Sequence, residues 1–469
     1  MRRWVAILGI LLLCALASGC KAVPRGTEPP DSFVLGEDIY IEGVNASRTQ
    51  VQYARAVLQA YLDERIESMW FDIHLEGASN SQTIRVQANE LPILTNMETA
   101  IHEAAYLPQH NGLRRQKREL DVALQLDTEA ARARAEEICA AYYVAPVNAT
   151  ATLDKSQEGN FAYTADRTGI EVKPDDIITL LAQAVEKGES AKIALPYTTL
   201  YPAYTEQQAR EEHQLISQFS TSYAKSPLNA SGRVFNIKKA ASIIDGTVLS
   251  PGEEFSTNDI LGPRNAENGW KKAPGIREGR YEQEYGGGVC QVSTTLFNAV
   301  MMADLEITQR QPHSWPSGYV DIGRDATIST GGPNFCFVNS RGYDLYVLAE
   351  TDSKKTLTIS IYGKPIEDGI TVKISSKRTE TLSSLGEEVL LDESLPANTR
   401  VVYREARRGK KSETYKEYYD AEGNLIDRVL VYADTYRSIK GTVYVSADIY
   451  YGWDDTEDAE EDTQDTGIL

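Results

Sequence analysis

The chain has 469 residues, a formal net charge of −20 and five cysteines. A strongly acidic chain has no basic stripe with which to displace counterions from a phosphate backbone, so nucleic-acid binding is excluded. Cysteines this sparse exclude a scaffold held together by disulfides, and the length suffices for three or four domains.

The N-terminus has the pattern of an export signal. Two arginines precede an apolar run that ends at Ala17, and this run is too short to span a bilayer comfortably. The four residues ending at Cys20 resemble a bacterial lipobox, which implies cleavage before Cys20 and lipidation of its thiol, so that the protein is anchored to the outer face of the cytoplasmic membrane. A plain signal peptide that ends near a cysteine is the alternative. We predict a lipoprotein signal over 1–19 and a proline-rich tether over 20–36.

After the tether, short strands alternate with amphipathic helices. Residues 47–50 have the pattern of a capping box and predict a helix over about 48–64. A proline before it and a glycine after it predict a second helix over 175–186. The pattern indicates two related α+β units, and the predicted units are 37–127 and 128–230.

Two further blocks and a tail follow. The first block begins with a helix predicted over 236–244, and its turn-rich stretch 262–279 predicts a long structured loop that serves a site. Later, β-branched residues and alternating Lys and Glu indicate an elongated all-β module. The acidic C-terminus predicts disorder. These parts are 231–368, 369–448 and 449–469. The predicted fold class is therefore α+β and multidomain.

The stretch 284–332 carries the chemistry of this chain. Cys290 follows three glycines at the start of an apolar helix, where the helix dipole lowers the pKa of a thiol. The glycines would let backbone N–H groups approach a substrate and donate to an oxyanion. Three interpretations stay open: Cys290 is a nucleophile, packs under a tight turn, or forms a disulfide with Cys336.

His313 can return to the helix end that carries Cys290. A helix of about 13 residues takes the chain roughly 20 Å away, and the ten residues before His313 can span up to roughly 33 Å. Asp325, or less favourably Asp321, would orient the imidazole as the third member of a triad. The alternative is that His313 caps a loop and that Arg324 and Asp325 form a structural ion pair.

Several residues around this motif are candidates for substrate binding. Aromatic rings beside glycine turns can stack on sugar faces, although most aromatic side chains belong to cores. The candidates are Gly286, Gly287, Gly288, Gln291, Ser293, Thr294, Trp315, Tyr319 and Arg324. The other histidines are scattered, and phosphate-loop and serine-hydrolase signatures are missing, so we predict no metal and no cofactor.

Four motifs carry a family resemblance: PGEEFS at 251–256, GGGVCQVSTTLFNA at 286–299, HS at 313–314 and GRDAT at 323–327. They resemble the VanW family, named from glycopeptide-resistance gene clusters. Residues 38–202 are similar to the YoaR-type peptidoglycan-binding repeat. Residues 371–446 resemble the extracellular G-five domain, with Ala397 and Ala406 where turn glycines are expected. The resemblance implies a cell-wall setting but no reaction.

From this we expect a lipid-anchored envelope protein whose partners are peptidoglycan, or its precursors, and the membrane. Binding would occur in a cleft between the 262–288 loop and the 313–325 segment. One alternative is a hydrolase or acyl transferase that uses Cys290 and His313, similar in logic to papain-like wall hydrolases, although their histidine lies further along the chain. L,D-transpeptidases place histidine before cysteine. A structural envelope stalk is the second alternative.

Overall fold

The structure is a computed structural model that describes residues 28–77, 82–106, 117–224, 231–277, 280–366 and 369–457. The predicted signal, Cys20 and the start of the tether lie outside the described residues, as does the chain after residue 457. No helix among the described residues is long and apolar enough to cross a membrane. The chain forms two compact units: one runs up to Asn148 and includes Asp166–Ala203, and the other comprises Ala149–Ala165 and the chain from Tyr204 onward.

The helices of the described residues are α1 Val51–Ser68, α2 Met97–Tyr106, α3 Arg132–Tyr142, α4 Pro174–Lys187, α5 Glu206–Glu212, α6 Ser231–Ile244, α7 Thr257–Leu261, α8 Val289–Met302 and α9 Ala447–Glu457. The strands of the first unit and its insertion are β1 Ile39–Ile41, β2 Val44–Asn45, β3 Trp70–Leu75, β4 Ile84–Gln87, β5 Ile93–Thr95, β6 Arg118–Leu120, β7 Leu124–Leu126, β8 Thr150–Leu153, β9 Phe161–Thr164, β10 Gly169–Glu171, β11 Ala191–Leu195 and β12 Thr198–Leu200. The later strands are β13 Gln214–Ser222, β14 Thr247–Leu249, β15 Glu254–Ser256, β16 Lys272–Arg277, β17 Arg280–Tyr285, β18 Glu306–Gln309, β19 Cys336–Val338, β20 Leu345–Thr351, β21 Thr356–Gly363, β22 Thr371–Thr381, β23 Glu387–Leu391, β24 Arg400–Arg404, β25 Lys410–Tyr419, β26 Leu425–Tyr436 and β27 Gly441–Val445.

The first unit is an α+β fold around one apolar core. Strand β3 pairs in parallel with β11 and antiparallel with β4, so chain segments more than a hundred residues apart share one sheet. Apolar residues of α1, α2, α3 and α4 are buried in this core. The helix predicted over 175–186 is confirmed as α4, and Gly188 ends it with a φ of 67°.

The predicted capping box before α1 is wrong. The helix begins at Val51, and its N-cap, Gln50, makes no side-chain capping bond. The hydroxyl of Ser47 instead accepts from the Ile39 N–H at 3.0 Å and donates to the Ile39 carbonyl at 3.2 Å. Arg48 also has a φ of 55°, which a helix does not allow. The Ser47 hydroxyl bonds the backbone of β1 and is therefore not available to cap α1.

In the second unit, helix α8 lies at the centre of the core. It packs on the antiparallel sheet of order β13-β21-β20-β14 and on α6. All its residues from Gln291 to Met301 are buried. The buried helix predicted from its all-round apolar pattern is thus confirmed, and it gives the chain segment at its N-terminus a rigid base.

The prediction of a loop over the whole stretch 262–279 is wrong, because strand β16 lies within it. Strands β16 and β17 form a hairpin with six residue pairs from Lys272↔Tyr285 to Arg277↔Arg280. The proline and glycine in β16 suggested a loop, but a two-stranded ribbon tolerates both because one of its edges needs no ladder bonds. The hairpin leads directly into the three glycines before α8.

The C-terminal module is all-β, as predicted, until its last element. One sheet has the order β22-β25-β26, and the other has the order β23-β27-β24. Ile374 and Tyr432 pack against the core around α8. The predicted disorder after residue 448 is wrong for its described part, because α9 runs to Glu457; the Asp448 carboxylate in its first turn accepts from the Asn398 N–H at 2.7 Å.

Candidate active site

The glycines before α8 set the position of Cys290. Gly286 has a φ of 82° and Gly288, the N-cap, has a φ of 108°. Both values lie in the left-handed region, where a side chain is strained. The chain therefore turns sharply from β17 into α8 and places Cys290 in the first helical turn, partly exposed at the cleft described below.

The space beside these glycines is filled by protein, which differs from the expected close approach of a substrate. A Cβ on Gly286 would lie 2.7 Å from the Cγ of Arg264, and one on Gly288 would lie 2.8 Å from the Nη1 of Arg233. A Cβ on Gly287 would lie 2.5 Å from the Ala273 carbonyl oxygen. The three glycines are thus needed for backbone conformation and for packing against two arginines.

Gly288→Ala should lower the unfolding free energy by about 2 kcal/mol, because strain at positive φ adds to a clash with Arg233. Gly252→Ala is the matched control: its φ is 80°, but nothing lies within 4 Å of the added Cβ. Denaturant titration of the two variants separates the clash from the strain. Equal destabilisation would mean that packing against Arg233 is unimportant.

The structure brings His313 and Asp325 together. The Nδ1 of His313 lies 2.6 Å from the Oδ2 of Asp325, and the same oxygen accepts from the His313 backbone N–H at 2.7 Å. Both residues are buried. Asp321 is exposed and pairs with Arg324 at 3.8 Å, so Asp325 holds the third position, and the Arg324–Asp325 ion pair does not form.

The imidazole of His313 also lies close enough to the thiol of Cys290 for the two groups to interact electrostatically. The Sγ atom lies 3.6 Å from the Thr327 hydroxyl and 3.4 Å from the Ile328 carbonyl oxygen. The thiol, the imidazole and the carboxylate therefore form a continuous chain of contacts, which is the arrangement of a cysteine triad. Cys290 and Cys336 are free thiols, so the disulfide does not form.

A tyrosine of the C-terminal module completes the chain of contacts. The hydroxyl of Tyr436 donates to the Oδ1 of Asp325 at 2.5 Å and accepts from the Gly323 N–H at 3.0 Å. Both oxygens of Asp325 are thus occupied within the protein. Sequence reasoning missed Tyr436, because it lies 111 residues away in a module expected to be independent.

These contacts change the acidity of the three groups. Burial opposes ionisation of Cys290, but its electrostatic interaction with His313 holds the pKa of the thiol below its usual value. Burial also opposes protonation of His313, yet Asp325 and Cys290 raise its pKa to about 10. The pKa of Asp325 is lowered by His313 and Tyr436 in spite of burial. A thiolate–imidazolium pair is consequently favoured at neutral pH.

Cys290 should react with iodoacetamide at lower pH than Cys139 and Cys336, the other thiols among the described residues. Its pKa lies below the ordinary 9.0, whereas burial raises the pKa of Cys336 and of Cys139. Because only the thiolate is alkylated, the labelling rate of Cys290 should level off below pH 9 while the other rates still rise. Peptide mass spectrometry across pH measures this, and an unchanged Cys290 profile in His313→Ala would contradict the ion pair.

Cys290 and His313 lie in the wall of a cleft of about 670 Å³. Of the predicted substrate-binding residues, five line this cleft: Gly286, Gly288, Gln291, Trp315 and Tyr319. Three further lining residues, Arg233, Arg264 and Arg407, were missed: Arg233 and Arg407 lie far from the motif in the sequence, and nothing in the 262–288 stretch singled out Arg264. The guanidinium of Arg407, from the C-terminal module, stacks over the Trp315 ring at 4.6 Å. Both modules thus contribute to the cleft.

The other predicted substrate contacts lie outside the cleft lining. The hydroxyl of Ser293 donates to the Ala326 carbonyl at 2.7 Å, and that of Thr294 accepts from the Ala326 N–H at 3.0 Å. The Nε of Arg324 donates to the Asn298 side chain at 2.8 Å. These polar side chains hold the segment that contains Asp325 against α8. Gly287 also lies outside the lining, because Ala273 fills the space beside it.

A buried ion pair joins the C-terminal module to the strand before His313. The Nη1 of Arg310 contacts both Asp434 oxygens at 2.7 Å, and its Nε donates to the Asp325 carbonyl at 2.8 Å. The two side chains are 2% and 9% exposed.

Arg310→Met should therefore lower the unfolding free energy by about 3–5 kcal/mol, since it leaves the Asp434 carboxylate buried and unpaired. Arg400→Met removes an exposed pair with Glu387 and should cost less than about 1 kcal/mol. Denaturant titration compares the two variants. Equal effects would show that the pair between the modules contributes little.

Among the residues that the structure describes, no group of three or more His, Cys, Asp or Glu side chains could hold a metal ion.

Comparison with known proteins agrees with the motifs. Residues 232–362 match the family described as "VanW like protein", and residues 84–194 match the one described as "Putative peptidoglycan binding domain". The "Uncharacterized protein YoaR" of Bacillus subtilis (strain 168) is 42% identical over 161 residues, which are 34% of this chain and 52% of that protein. The vancomycin B-type resistance protein VanW of Enterococcus faecalis (strain ATCC 700802 / V583) is 35% identical over 104 residues, 21% of this chain and 38% of that protein.

The chain is a VanW- and YoaR-like protein. The IgA1 protease G5 domain structure is 19% identical over 17% of this chain and 89% of its own, with a TM-score of 0.13. A mutant Enterococcus faecium L,D-transpeptidase is 12% identical over 34% of this chain and 51% of its own, with a TM-score of 0.15. TM-scores this low support no conclusion about function. The predicted family resemblance is confirmed, and the matches support a cell-wall-associated protein.

Matches to the curated relatives cover about half of YoaR and less than half of VanW. The VanW-like domain contains Cys290, His313 and Asp325, whereas Tyr436 and Arg407 belong to the C-terminal β module that follows it.

Proposed function

We propose that the VanW-like domain is a cysteine-dependent enzyme that cleaves or transfers acyl groups of peptidoglycan peptides in the cell envelope. The observation that carries this proposal is the contact chain from Cys290 through His313 to Asp325 at the wall of an open cleft. The sequence favoured a binding protein, with this enzyme as the alternative. The geometry favours the enzyme, because a binding cleft gives no reason for a buried carboxylate aligned on an imidazole that contacts a thiol.

The reaction divides into two acyl transfers. The Cys290 thiolate attacks a peptide carbonyl carbon, and collapse of the tetrahedral intermediate breaks the C–N bond and leaves a thioester on Sγ. His313 gives its proton to the departing amine. An incoming amine or water gives a proton to His313 and attacks the thioester, and breaking of the C–S bond releases the new amide or the free acid and restores the thiolate–imidazolium pair. Asp325 keeps the imidazole oriented and stabilises its cationic form throughout.

A donor for the oxyanion lies beside the thiol. Among the described residues, the backbone N–H of Cys290 has no backbone acceptor, because it lies in the first turn of α8. Such a donor stabilises the tetrahedral intermediate without reorganisation. The rigid, buried helix behind it holds the donor in place.

The rest of the chain supports a wall setting. Residues 84–194 match a family described as peptidoglycan-binding, and they would hold the enzyme on its polymeric substrate. A lipidated Cys20 and the tether after it would keep the protein at the outer face of the membrane, which places the thiol chemistry among wall peptides.

Intact-protein mass spectrometry tests the enzyme directly. The purified full chain is incubated with soluble muropeptides and quenched in acid, and we expect an acyl adduct on Cys290 that hydroxylamine removes. Cys336→Ala should retain the adduct and His313→Ala should lose it. If the wild-type chain forms no adduct and alters no muropeptide, yet sediments with sacculi, the chain only binds the wall.

A further inference from the structure

Arg264 is a buried cation with no carboxylate at hydrogen-bonding distance among the described residues. Its side chain belongs to a residue that is 8% exposed, and its Nη1 donates to the Gly262 carbonyl at 3.1 Å. Its Nη2 is buried and has no hydrogen-bond partner among the described residues. Within the same described residues, no carboxylate forms an ion pair with it. A buried guanidinium nitrogen without an acceptor is costly, so a fold that retains one calls for an explanation.

Its position relates it to the nucleophile. Arg264 lines the same cleft as Cys290, and the two groups interact electrostatically although no hydrogen bond joins them. Its Cβ and Cγ pack against Gly286, which lacks the Cβ that would collide with them. The turn that positions the thiol therefore also positions the guanidinium.

The neighbouring charges leave this position open to an anion. Arg233 also lines the cleft, and its Nη2 donates to the Gln291 side chain at 2.6 Å. Glu284 is the acidic residue of the cleft lining; it interacts with Arg264 through space but is exposed to solvent. A planar guanidinium with a free N–H edge is suited to paired hydrogen bonds with a carboxylate.

We propose that Arg264 binds a free carboxylate of the peptide substrate close to the carbonyl that Cys290 attacks. This inference rests on the proposed role of Cys290 as a nucleophile. The preferred substrate is then a peptide in which an unamidated carboxyl group lies next to the bond that Cys290 breaks. A ligand carboxylate would give Nη2 its missing acceptor and neutralise the buried charge.

A pair of alkylating reagents tests this without a known substrate. Iodoacetate carries a carboxylate beside its reactive carbon, and iodoacetamide is its neutral counterpart. For each protein, the two rates at Cys290 are measured by peptide mass spectrometry, and their ratio is divided by the same ratio for N-acetylcysteine. We expect about a tenfold preference for iodoacetate in the wild-type chain, the size of one charge-assisted hydrogen bond.

Three variants locate the source of the preference. Arg264→Gln should abolish it, and Arg264→Lys, which keeps the charge but not the planar edge, should retain only part of it. Arg378→Gln removes an exposed charge of the C-terminal β module and should leave the ratio unchanged. Full retention in Arg264→Lys would overturn the proposal in favour of a diffuse positive field.

The wild-type result alone can refute the proposal, even if a variant does not fold. If the wild-type ratio equals that of N-acetylcysteine while Cys290 is still alkylated faster than Cys336, the proposed carboxylate site is refuted. The role of Cys290 as a nucleophile is then unaffected. If Cys290 reacts no faster than Cys336, the proposed function fails instead.

Discussion

Cys290→Ala will abolish acyl transfer from wall peptides, reducing turnover by roughly 10⁴-fold or more. The other thiol among the described residues of this domain, Cys336, is 5% exposed and hydrogen-bonds Asn334 and Gln309. Chromatography with mass spectrometry of muropeptides, before and after incubation with each protein, measures the loss. Binding to sacculi should persist in the variant, since residues 84–194 are untouched.

The control is Cys336→Ala, which removes a thiol of the same domain and should keep activity within a few-fold of wild type. Thermal unfolding of both variants shows whether either loss is one of folding. Wild-type turnover by a folded Cys290→Ala protein would refute the cysteine mechanism, and equal losses in the two variants would assign the effect to stability.

Asp325→Asn is expected to lower turnover by about 10³–10⁴-fold while the thiol remains. Its Oδ2 holds both the ring and the backbone of His313, and an amide cannot stabilise the imidazolium or keep the same tautomer. Loss of this carboxylate removes a cause of the raised His313 pKa of about 10. The alkaline limb of the pH–rate profile should therefore move to lower pH, because the imidazole loses its proton earlier.

Tyr436→Phe provides the graded comparison. It removes the hydrogen bond to the other oxygen of Asp325, and we expect a loss of about tenfold, with a small shift of the alkaline limb to higher pH, because a carboxylate without this donor attracts the imidazolium more strongly. A purely structural role of Tyr436 would lower stability and leave the pH profile unchanged. If Asp325→Asn keeps both wild-type turnover and the wild-type profile, the carboxylate is not part of the machinery.

Local sequence patterns were sufficient to predict much of the fold. The apolar periodicity of residues 291–303 predicted α8 nearly to its ends, and Pro174 with Gly188 predicted α4. Capping and loop predictions failed where pairing partners lie elsewhere: Ser47 bonds a strand, and β16 forms a hairpin with β17. A short polar motif or a turn-rich stretch does not reveal such partners, because tertiary contacts outweigh local propensity.

The stretch 284–332 by itself determined that a thiol would lie at a helix N-terminus with a histidine and an aspartate within reach. Its apolar helix and glycine turn are encoded locally, and chain length alone allows His313 to return. Only the tertiary structure decided that Asp325 takes the third position and that Arg264 and Tyr436 join the site. Arg264 and Tyr436 lie outside this stretch, and burial of the side chains next to one another is what sets the hydrogen bonds and charges of the site.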